Sequence, residues 1–187
     1  MTFPVFASGD VLNASDMNAV GLWKIAGASF TTATSFSLPN GTFSSSYRNY
    51  KLIVQITAVT SDADFTIRMR ASGTDDSSNV YGYMMPGYSY AAAASNSIAE
   101  AQTSFVVGEQ DSAIVRYFAN FDIIAPQLAT PTYFMGGYNF LNKAAGASIA
   151  RSGVMQFTSS TQFDSLSFIS SVASSITGVY RVYGYQE

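Results

Sequence analysis

The stretch from Tyr50 to Ser72 constrains the fold most strongly, because it alternates apolar and polar side chains in two runs. The apolar positions are Tyr50, Leu52, Val54, Ile56 and Ala58 in the first run, and Phe65, Ile67, Met69 and Ala71 in the second. A period of two is typical of a strand with one face in a core and the other in water. The turn-forming residues 60–64 predict that the two strands form an antiparallel hairpin. Since a lone hairpin cannot bury its apolar face, further strands must cover it.

Short strand patterns separated by Gly, Pro and Asn fill the rest of the chain. We predict strands at 28–34, 35–38, 80–85, 103–107, 113–124, 133–140, 149–157, 163–169 and 176–185. Long helical periodicity is missing, which excludes parallel α/β folds. The pattern predicts an all-β fold, an antiparallel two-sheet sandwich that is jelly-roll-like, with a barrel as the alternative. Residues 26–187 would form this single domain.

Two segments of this domain allow more than one interpretation. Residues 91–102 carry an alanine run and little charge, and the pattern fits a loop or a short helix. Gly136 and Gly137 interrupt an aromatic strand pattern, which indicates a β-bulge or a close approach of two backbones. In the 113–124 strand, alternation places Phe118, Asn120 and Asp122 on the face away from the core.

The charge content points to a protein that packs against other protein. Only 11% of the residues are charged, against about 25% in a typical soluble protein. A surface with few ions loses little hydration when it is covered, so we expect a subunit of a larger assembly. The net charge of −3 argues against nucleic-acid binding. No apolar run is long enough to insert in a membrane, and no signal peptide is visible at the N-terminus.

The residue inventory argues against catalysis. The chain has no Cys and no His, which excludes disulfides and thiolate metal sites and removes the usual bases and nucleophiles. Carboxylates remain, and Asp122 and Asp164 fall inside predicted strands on the water-facing side. We therefore expect no enzymatic activity, no cofactor and no metal. A calcium site built from residues 62–64 and 75–76 is the weaker interpretation, because Asp in such loops usually closes turns.

A tyrosine cluster is the richest candidate site. Its members lie close together in the sequence beside polar loop residues: Tyr81, Tyr83, Tyr88, Tyr90, Asp75, Asp76 and Asn79. Three interpretations remain open. The rings can belong to the sandwich core and its cross-strand pairs, form a protein interface, or stack on the C–H face of a host glycan while the amides and carboxylates bind its hydroxyl groups.

The first 25 residues differ from the domain. An extended apolar start around Pro4 is followed by a break at Gly9–Asp10, and Asn13 or Ser15 then caps a predicted helical turn. The apolar residues that need a docking surface are Phe3, Val5, Phe6, Val11, Leu12, Met17, Val20 and Trp23. They form either a strap over their own domain or an attachment arm that docks on a neighbouring subunit.

The N-terminal segment contains the run Phe3-Pro4-Val5-Phe6-Ala7-Ser8-Gly9-Asp10-Val11-Leu12-Asn13-Ala14-Ser15-Asp16-Met17-Asn18-Ala19. This run resembles the F-x-x-G-x-V-L-x-A-x-D-x-N-A opening of small tailed-bacteriophage virion proteins of the fibre, spike and decoration type. Segments 47–52, 161–166 and 176–185 are also similar. The resemblance implies a virion component that is attached through residues 1–25 to other virion proteins. It also implies a homotrimer. We expect the exposed loops near residues 73–79 and 86–102 to be the places where the protein would contact a host surface glycan. A capsid decoration protein and a carbohydrate-binding module are the alternatives.

Overall fold

The computed structural model describes residues 21–113, 115, 117–142, 146–171 and 176–185. Within these ranges every regular element is a strand. The strands are β1 (Trp23–Ala33), β2 (Ser35–Ser37), β3 (Asn49–Val59), β4 (Ala63–Ala71), β5 (Thr74–Asp75), β6 (Tyr81–Met85), β7 (Gly87–Ser89), β8 (Ser97–Gln102), β9 (Phe105–Gln110), β10 (Tyr117–Ile124), β11 (Thr132–Leu141), β12 (Ser148–Phe157), β13 (Ser165–Ser170) and β14 (Ile176–Tyr185).

The strands form two antiparallel sheets that face each other. The large sheet has the order β1-β14-β3-β10-β11-β12-β6-β8, with β7 also paired to β12, and the small sheet has the order β2-β13-β4-β5, with β9 also paired to β4. The chain crosses between the sheets at β1–β2, β2–β3, β3–β4, β5–β6, β8–β9, β9–β10, β12–β13 and β13–β14. The orders β1-β14-β3-β10 and β2-β13-β4-β9 are those of a jelly roll. The predicted sandwich is confirmed, and no pairing among the described strands closes the sheets into a barrel.

The predicted hairpin between β3 and β4 is wrong, although both strands exist. β3 pairs with β14 and β10 in the large sheet, whereas β4 pairs with β13, β9 and β5 in the small one. Residues 60–62 therefore carry the chain across the sandwich. Alternation determines which face of a strand is buried, but it does not determine the strand's pairing partner. In opposing sheets the two apolar faces pack against each other.

The alternation within these strands is confirmed, with one slip near the end of β3. Leu52, Val54 and Ile56 are buried, but the next buried residue is Val59, and Ala58 is exposed. The pairing of β3 with β14 shifts by one residue opposite Thr177 and Gly178. Such a bulge turns the following side chains to the other face, which explains the exchange.

Aromatic rings fill the space between the sheets. The largest fully buried side chains are Tyr50, Tyr81, Tyr117, Phe43, Phe65, Phe105, Phe121, Phe134, Phe140, Phe157, Phe163 and Phe168. The Phe65 and Tyr117 rings meet edge to face with centroids 4.8 Å apart, a favourable geometry for aromatic pairs. The Tyr117 hydroxyl donates to the Val107 carbonyl at 2.8 Å, so burial leaves this polar atom satisfied.

The large sheet extends beyond the jelly roll through β11, β12, β6 and β8. Residues 91–96 form a loop and residues 97–102 form strand β8 antiparallel to β6. The loop expected for 91–102 is therefore correct for its first half, and the helix is wrong. The Gly136–Gly137 pair is a close approach, because β11 keeps a continuous register with both neighbours. A Cβ atom on Gly136 would lie 2.2 Å from the Asn120 carbonyl oxygen, and one on Gly137 would lie 2.5 Å from that of Arg151.

Candidate functional site

The predicted tyrosine cluster does not form one site. Tyr81 lies in the core with no exposed surface. Its hydroxyl donates to the Asp76 carbonyl at 2.7 Å and accepts from the Met69 backbone N–H at 3.1 Å. Burial raises the pKa of Tyr81 above its ordinary value. The assignment of Tyr81 to a receptor surface is therefore wrong, because the ring sits between the sheets, where inward alternation places it.

The acidic residues of the predicted cluster are used within the protein. Asp75 contacts the Arg70 guanidinium at 3.0 Å and accepts from the Ser167 hydroxyl at 2.8 Å. Asp76 accepts from the Ser78 backbone N–H at 2.8 Å, which is the turn-closing contact expected of Asp in a loop. Among the described residues, no three carboxylates gather in a way that could hold a metal ion.

Asp164, the other carboxylate expected inside a strand, lies just before β13. It accepts hydrogen bonds from the Ser72 backbone N–H at 3.0 Å and the Ser165 hydroxyl at 2.8 Å. It is thus engaged in a connection between segments of the small sheet.

Two of the predicted tyrosines are available at the surface. Tyr88 in β7 is 66% exposed and Tyr90 is 89% exposed, whereas Tyr83 is half-buried. Tyr88 and Tyr90 line a small depression of about 100 Å³ together with Asn139 and residues 148–150. Large apolar rings with this exposure are candidates for contact with a ligand or partner.

Gly137 lies at the centre of a larger depression on the outer face of the large sheet. Side chains of a strand alternate between faces, so the residues that surround Gly137 on its own face follow from the pairing of β10, β11 and β12. These neighbours are Phe118, Asn120 and Asp122 on β10, Met135 and Asn139 on β11, and Ala150, Ser152 and Val154 on β12. Because Gly137 has no side chain, the outer face of the sheet has a gap at this position, and the neighbouring side chains surround it. The resulting depression has a volume of about 360 Å³.

The walls of this depression combine one aromatic ring with several polar groups. Phe118 is 42% exposed. Asp122 is held by Lys51, whose Nζ atom lies 3.2 Å from both carboxylate oxygens, and by the Tyr185 hydroxyl at 3.2 Å. The Ser152 hydroxyl donates to the Gly136 carbonyl at 3.0 Å, which orients it and leaves its lone pairs able to accept.

Asn120 supplies a buried acceptor. Its Oδ1 atom is shielded from solvent, and no group in the described part of the chain donates a hydrogen bond to it. An unsatisfied buried acceptor costs about 1–3 kcal/mol. Asn120 lines the Gly137 depression, so a turn of its amide toward the depression would let this oxygen accept from a donor that enters there.

The two depressions adjoin, because Asn139 and Ala150 line both of them. We call the combined surface the outer-face trough. It extends from Asp122, Asn120 and Phe118 on β10 to Tyr88 and Tyr90 beyond β12. Three strand spacings separate β10 from β7, which gives a width of about 14 Å.

An apolar row borders the trough. Met135, Val154, Met84 and Ile98 are cross-strand neighbours on β11, β12, β6 and β8. The last three of these line a shallow pocket of about 630 Å³ together with Asn79, Gly82, Glu100 and Gln156, among others. This pocket is also lined by Tyr81 and Tyr83, so it brings Asn79 together with two tyrosines of the predicted cluster, whereas Asp75 and Asp76 do not line it.

Most of the trough residues were absent from the predicted site, although the sequence contained signals for them. Alternation placed Phe118 on the face away from the core beside Asn120 and Asp122, and an aromatic ring on such a face indicates exposure. The glycine pair at 136–137 indicated a close approach, which is where the trough has its floor. Asn139 carried no comparable signal, because its neighbours lie on other strands.

The predicted attachment residues lie mostly outside the described part of the chain. This applies to Phe3, Val5, Phe6, Val11, Leu12, Met17 and Val20. Trp23 begins strand β1 and pairs with Gly184, so its predicted place in a helical turn is wrong, and the predicted domain boundary after residue 25 falls inside β1. Extension of the sheet by backbone pairing with β14 overrides the weak helical spacing at this point.

Comparisons with known proteins give no match, so the function must be inferred from the sequence and structure of the chain itself. No protein-family model, no curated protein and no solved structure matches the chain. In the part of the chain that the structure describes, no helix has the length and apolarity needed to cross a membrane.

Proposed function

We propose that the chain is a structural subunit of a bacteriophage virion, a fibre or spike that is anchored to the particle by its N-terminal residues. Its partners would be other virion proteins and further copies of itself, with a homotrimer as the expected assembly. The resemblance of both termini to small virion proteins motivates the proposal. The structural observation that supports it most strongly is the complete set of jelly-roll strands within residues 23–185.

The eight jelly-roll strands are all supplied by residues 23–185. Among the described residues, the buried apolar core extends from Phe36 to Val182, and Ile25 and Phe30 of β1 pack against it. The chain enters this domain through β1, which is the terminal strand of the large sheet. Because residues 23–185 already supply all eight strands of a jelly roll, the apolar residues of the N-terminal segment are not needed to complete its sheets, and we infer that they dock on another polypeptide.

The composition supports an assembled protein. The surface is poor in charge, so a protein partner can cover it with little loss of ion hydration. Jelly rolls are common in viral particles and in lectins. Asp122, a carboxylate within strand β10, forms an ion pair with Lys51 at 3.2 Å. Such a contact suits a structural or binding role. That the protein is not an enzyme stays a prediction.

Removal of residues 1–20 tests the attachment role. We expect the shortened protein to keep its strand-rich circular dichroism spectrum and its melting temperature, since β1 remains complete. It should no longer join particles when it is added to phage that lack the full-length protein, as measured by co-sedimentation. If the shortened protein unfolds, the segment is a strap over its own domain and the attachment proposal is wrong.

Substitutions in the full-length chain provide a matched control. Replacement of Phe3, Phe6 and Leu12 by Ser should abolish incorporation, because it removes apolar area that docking would bury. Replacement of Thr2, Asn13 and Asn18 by Ser alters the same segment without removing apolar area, and we expect incorporation to persist. Imaging of the complete particle would separate a fibre or spike from the alternative, a capsid decoration protein.

A carbohydrate-binding module is the second candidate function. It is favoured by one observation, the outer-face trough with its exposed rings and polar walls. The two functions are compatible, because a fibre that contacts a host needs a binding surface away from its anchor.

A further inference from the structure

We propose that the outer-face trough binds a neutral saccharide, with one sugar ring seated over Gly137 between Phe118, Asn120 and Asn139. This inference deepens the proposed function, since host adsorption would use such a surface, and it rests on a different part of the chain. The argument concerns the shape of the trough, its hydrogen-bonding groups, its aromatic rings and its charge.

The shape suits a flat ring that carries hydroxyl groups. The floor is the backbone at Gly136 and Gly137, where a Cβ atom would collide with the neighbouring strands. The depression above it, about 360 Å³, lies at the low end of the range of small-molecule sites. The floor is set by backbone pairing on both sides of β11, so the site is formed before a ligand arrives.

The polar walls offer the mixture of donors and acceptors that sugar hydroxyls need. Asn120 Oδ1 is a buried acceptor with no donor among the described residues, and a sugar hydroxyl would satisfy it when the amide turns toward the depression. Asn139 offers both an amide donor and a carbonyl acceptor. The Asp122 carboxylate is fixed by Lys51 and Tyr185, so little side-chain freedom would be lost on binding.

Aromatic rings flank the polar groups on both sides. Phe118 stands at one end of the row Phe118–Asn139–Ala150–Tyr88, and Tyr88 stands at the other. An apolar ring face can pack against the C–H face of a sugar while the amides bind its hydroxyl groups. A width of about 14 Å between the two rings would allow a short oligosaccharide to contact both.

The charge of the trough favours a neutral ligand. Asp122 is its carboxylate, and Lys51 balances that charge at 3.2 Å. Arg151 contributes backbone to the lining, but its guanidinium donates to the Ser95 carbonyl and hydroxyl and lies 5.1 Å from the Phe140 ring. A sialylated or uronic-acid-containing saccharide would place a second negative charge beside Asp122. Lys51 already pairs with Asp122, and the Arg151 guanidinium already binds Ser95, so neither would balance the added charge.

The test uses the full-length protein on an array of neutral hexose and N-acetylhexosamine oligosaccharides, with sialylated and uronic-acid saccharides alongside. The strongest neutral binder is then titrated calorimetrically against the variants Phe118→Ala, Asn139→Ala and Asn120→Ala. Tyr133→Ala is the matched control, because Tyr133 has a similar exposure of 37% on the same face of β11 but does not line the trough.

We expect Phe118→Ala and Asn139→Ala to weaken binding about tenfold, while Tyr133→Ala changes the affinity less than about twofold. Asn120→Ala should weaken binding to a similar extent without lowering the melting temperature, because it removes an unsatisfied buried acceptor. A purely structural Asn120 would instead lower the melting temperature.

Three outcomes would overturn the inference: a flat array, binding of acidic saccharides alone, or equal losses in Tyr133→Ala and the trough variants. The proposed virion function is tested separately, by the incorporation of the variant protein into particles. Particles that carry Phe118→Ala should still contain the protein, which depends on the N-terminal residues, but should adsorb less to host cells. Concentration-dependent association that Phe118→Ala abolishes, without any saccharide binding, would assign the trough to contact between copies of the chain.

Discussion

At the scale of single residues, glycines shape the large sheet. Gly136 has a φ of +144° and lies against the backbone of β10, so both its conformation and the available space require the absence of a Cβ atom. Gly82 lies in the same sheet, yet a Cβ atom there would meet its nearest neighbour, the Ala99 carbonyl oxygen, at 3.8 Å. The two positions show that a glycine in a strand can be essential or replaceable.

Gly136→Ala should therefore destabilise the protein by about 3 kcal/mol, because the Cβ atom would collide with the Asn120 carbonyl oxygen in an unfavourable backbone conformation. Gly82→Ala should change the free energy of unfolding by less than about 0.5 kcal/mol, or raise it slightly by restricting the unfolded chain. Urea denaturation followed by the fluorescence of Trp23, the single tryptophan, measures both. Equal losses would show that backbone contact at Gly136 is not the cause.

At the scale of elements, one arginine connects four strands of the small sheet. Arg70 on β4 lies 2.8 Å from the Ser37 hydroxyl on β2, 2.8 Å from the Ser167 hydroxyl on β13 and 3.0 Å from Asp75 on β5. Its second terminal nitrogen donates to the Gly73 carbonyl. The planar fork of a guanidinium can serve several acceptors at fixed angles, which a lysine ammonium cannot do.

Arg70→Lys should lower the free energy of unfolding by about 2 kcal/mol, because partly buried hydrogen bonds to a charged group are lost. Arg68→Lys is the matched control on the same face of β4. Arg68 donates to the Thr103 carbonyl at an exposed site, so its replacement should cost less than about 0.5 kcal/mol. Chemical denaturation at two salt concentrations measures both, and equal costs would refute the role of the Arg70 network.

At the scale of the whole molecule, the buried tyrosines of the aromatic core make the free energy of unfolding depend on pH in the alkaline range. Burial raises the pKa of Tyr117 well above its ordinary value of 10.0, and burial also raises the pKa of Tyr138. The folded state therefore favours the neutral phenols. The stability that this preference provides is fully present below pH 10 and is lost as the pH rises above it.

We expect the free energy of unfolding to be flat in this respect below pH about 9.5 and to fall above pH about 10. Tyr117→Phe should reduce the slope of that fall by up to about 1.4 kcal/mol per pH unit, since one fewer phenol ionises on unfolding. Phe65→Leu is the control, because it disturbs the ring packed on Tyr117 and should lower stability at every pH without changing the slope. An unchanged slope in Tyr117→Phe would contradict the prediction.

The sequence by itself determined the fold class and the buried face of each long strand, because side-chain alternation is a local property of the backbone. It predicted the inward positions of β10 and β4, and it marked Gly136–Gly137 as unusual. Pairing partners were decided only by the tertiary structure, as β3 illustrates: it leaves β4 for β14 and β10, which are remote in the chain. The trough also depends on strand pairing, since Phe118, Asn139 and Ala150 become neighbours only when the consecutive strands β10, β11 and β12 align, and Tyr88 joins them only through the remote pairing of β7 with β12. Burial likewise separated Tyr81 from Tyr88 and Tyr90, because proximity along the chain does not specify on which side of a sheet a ring will lie.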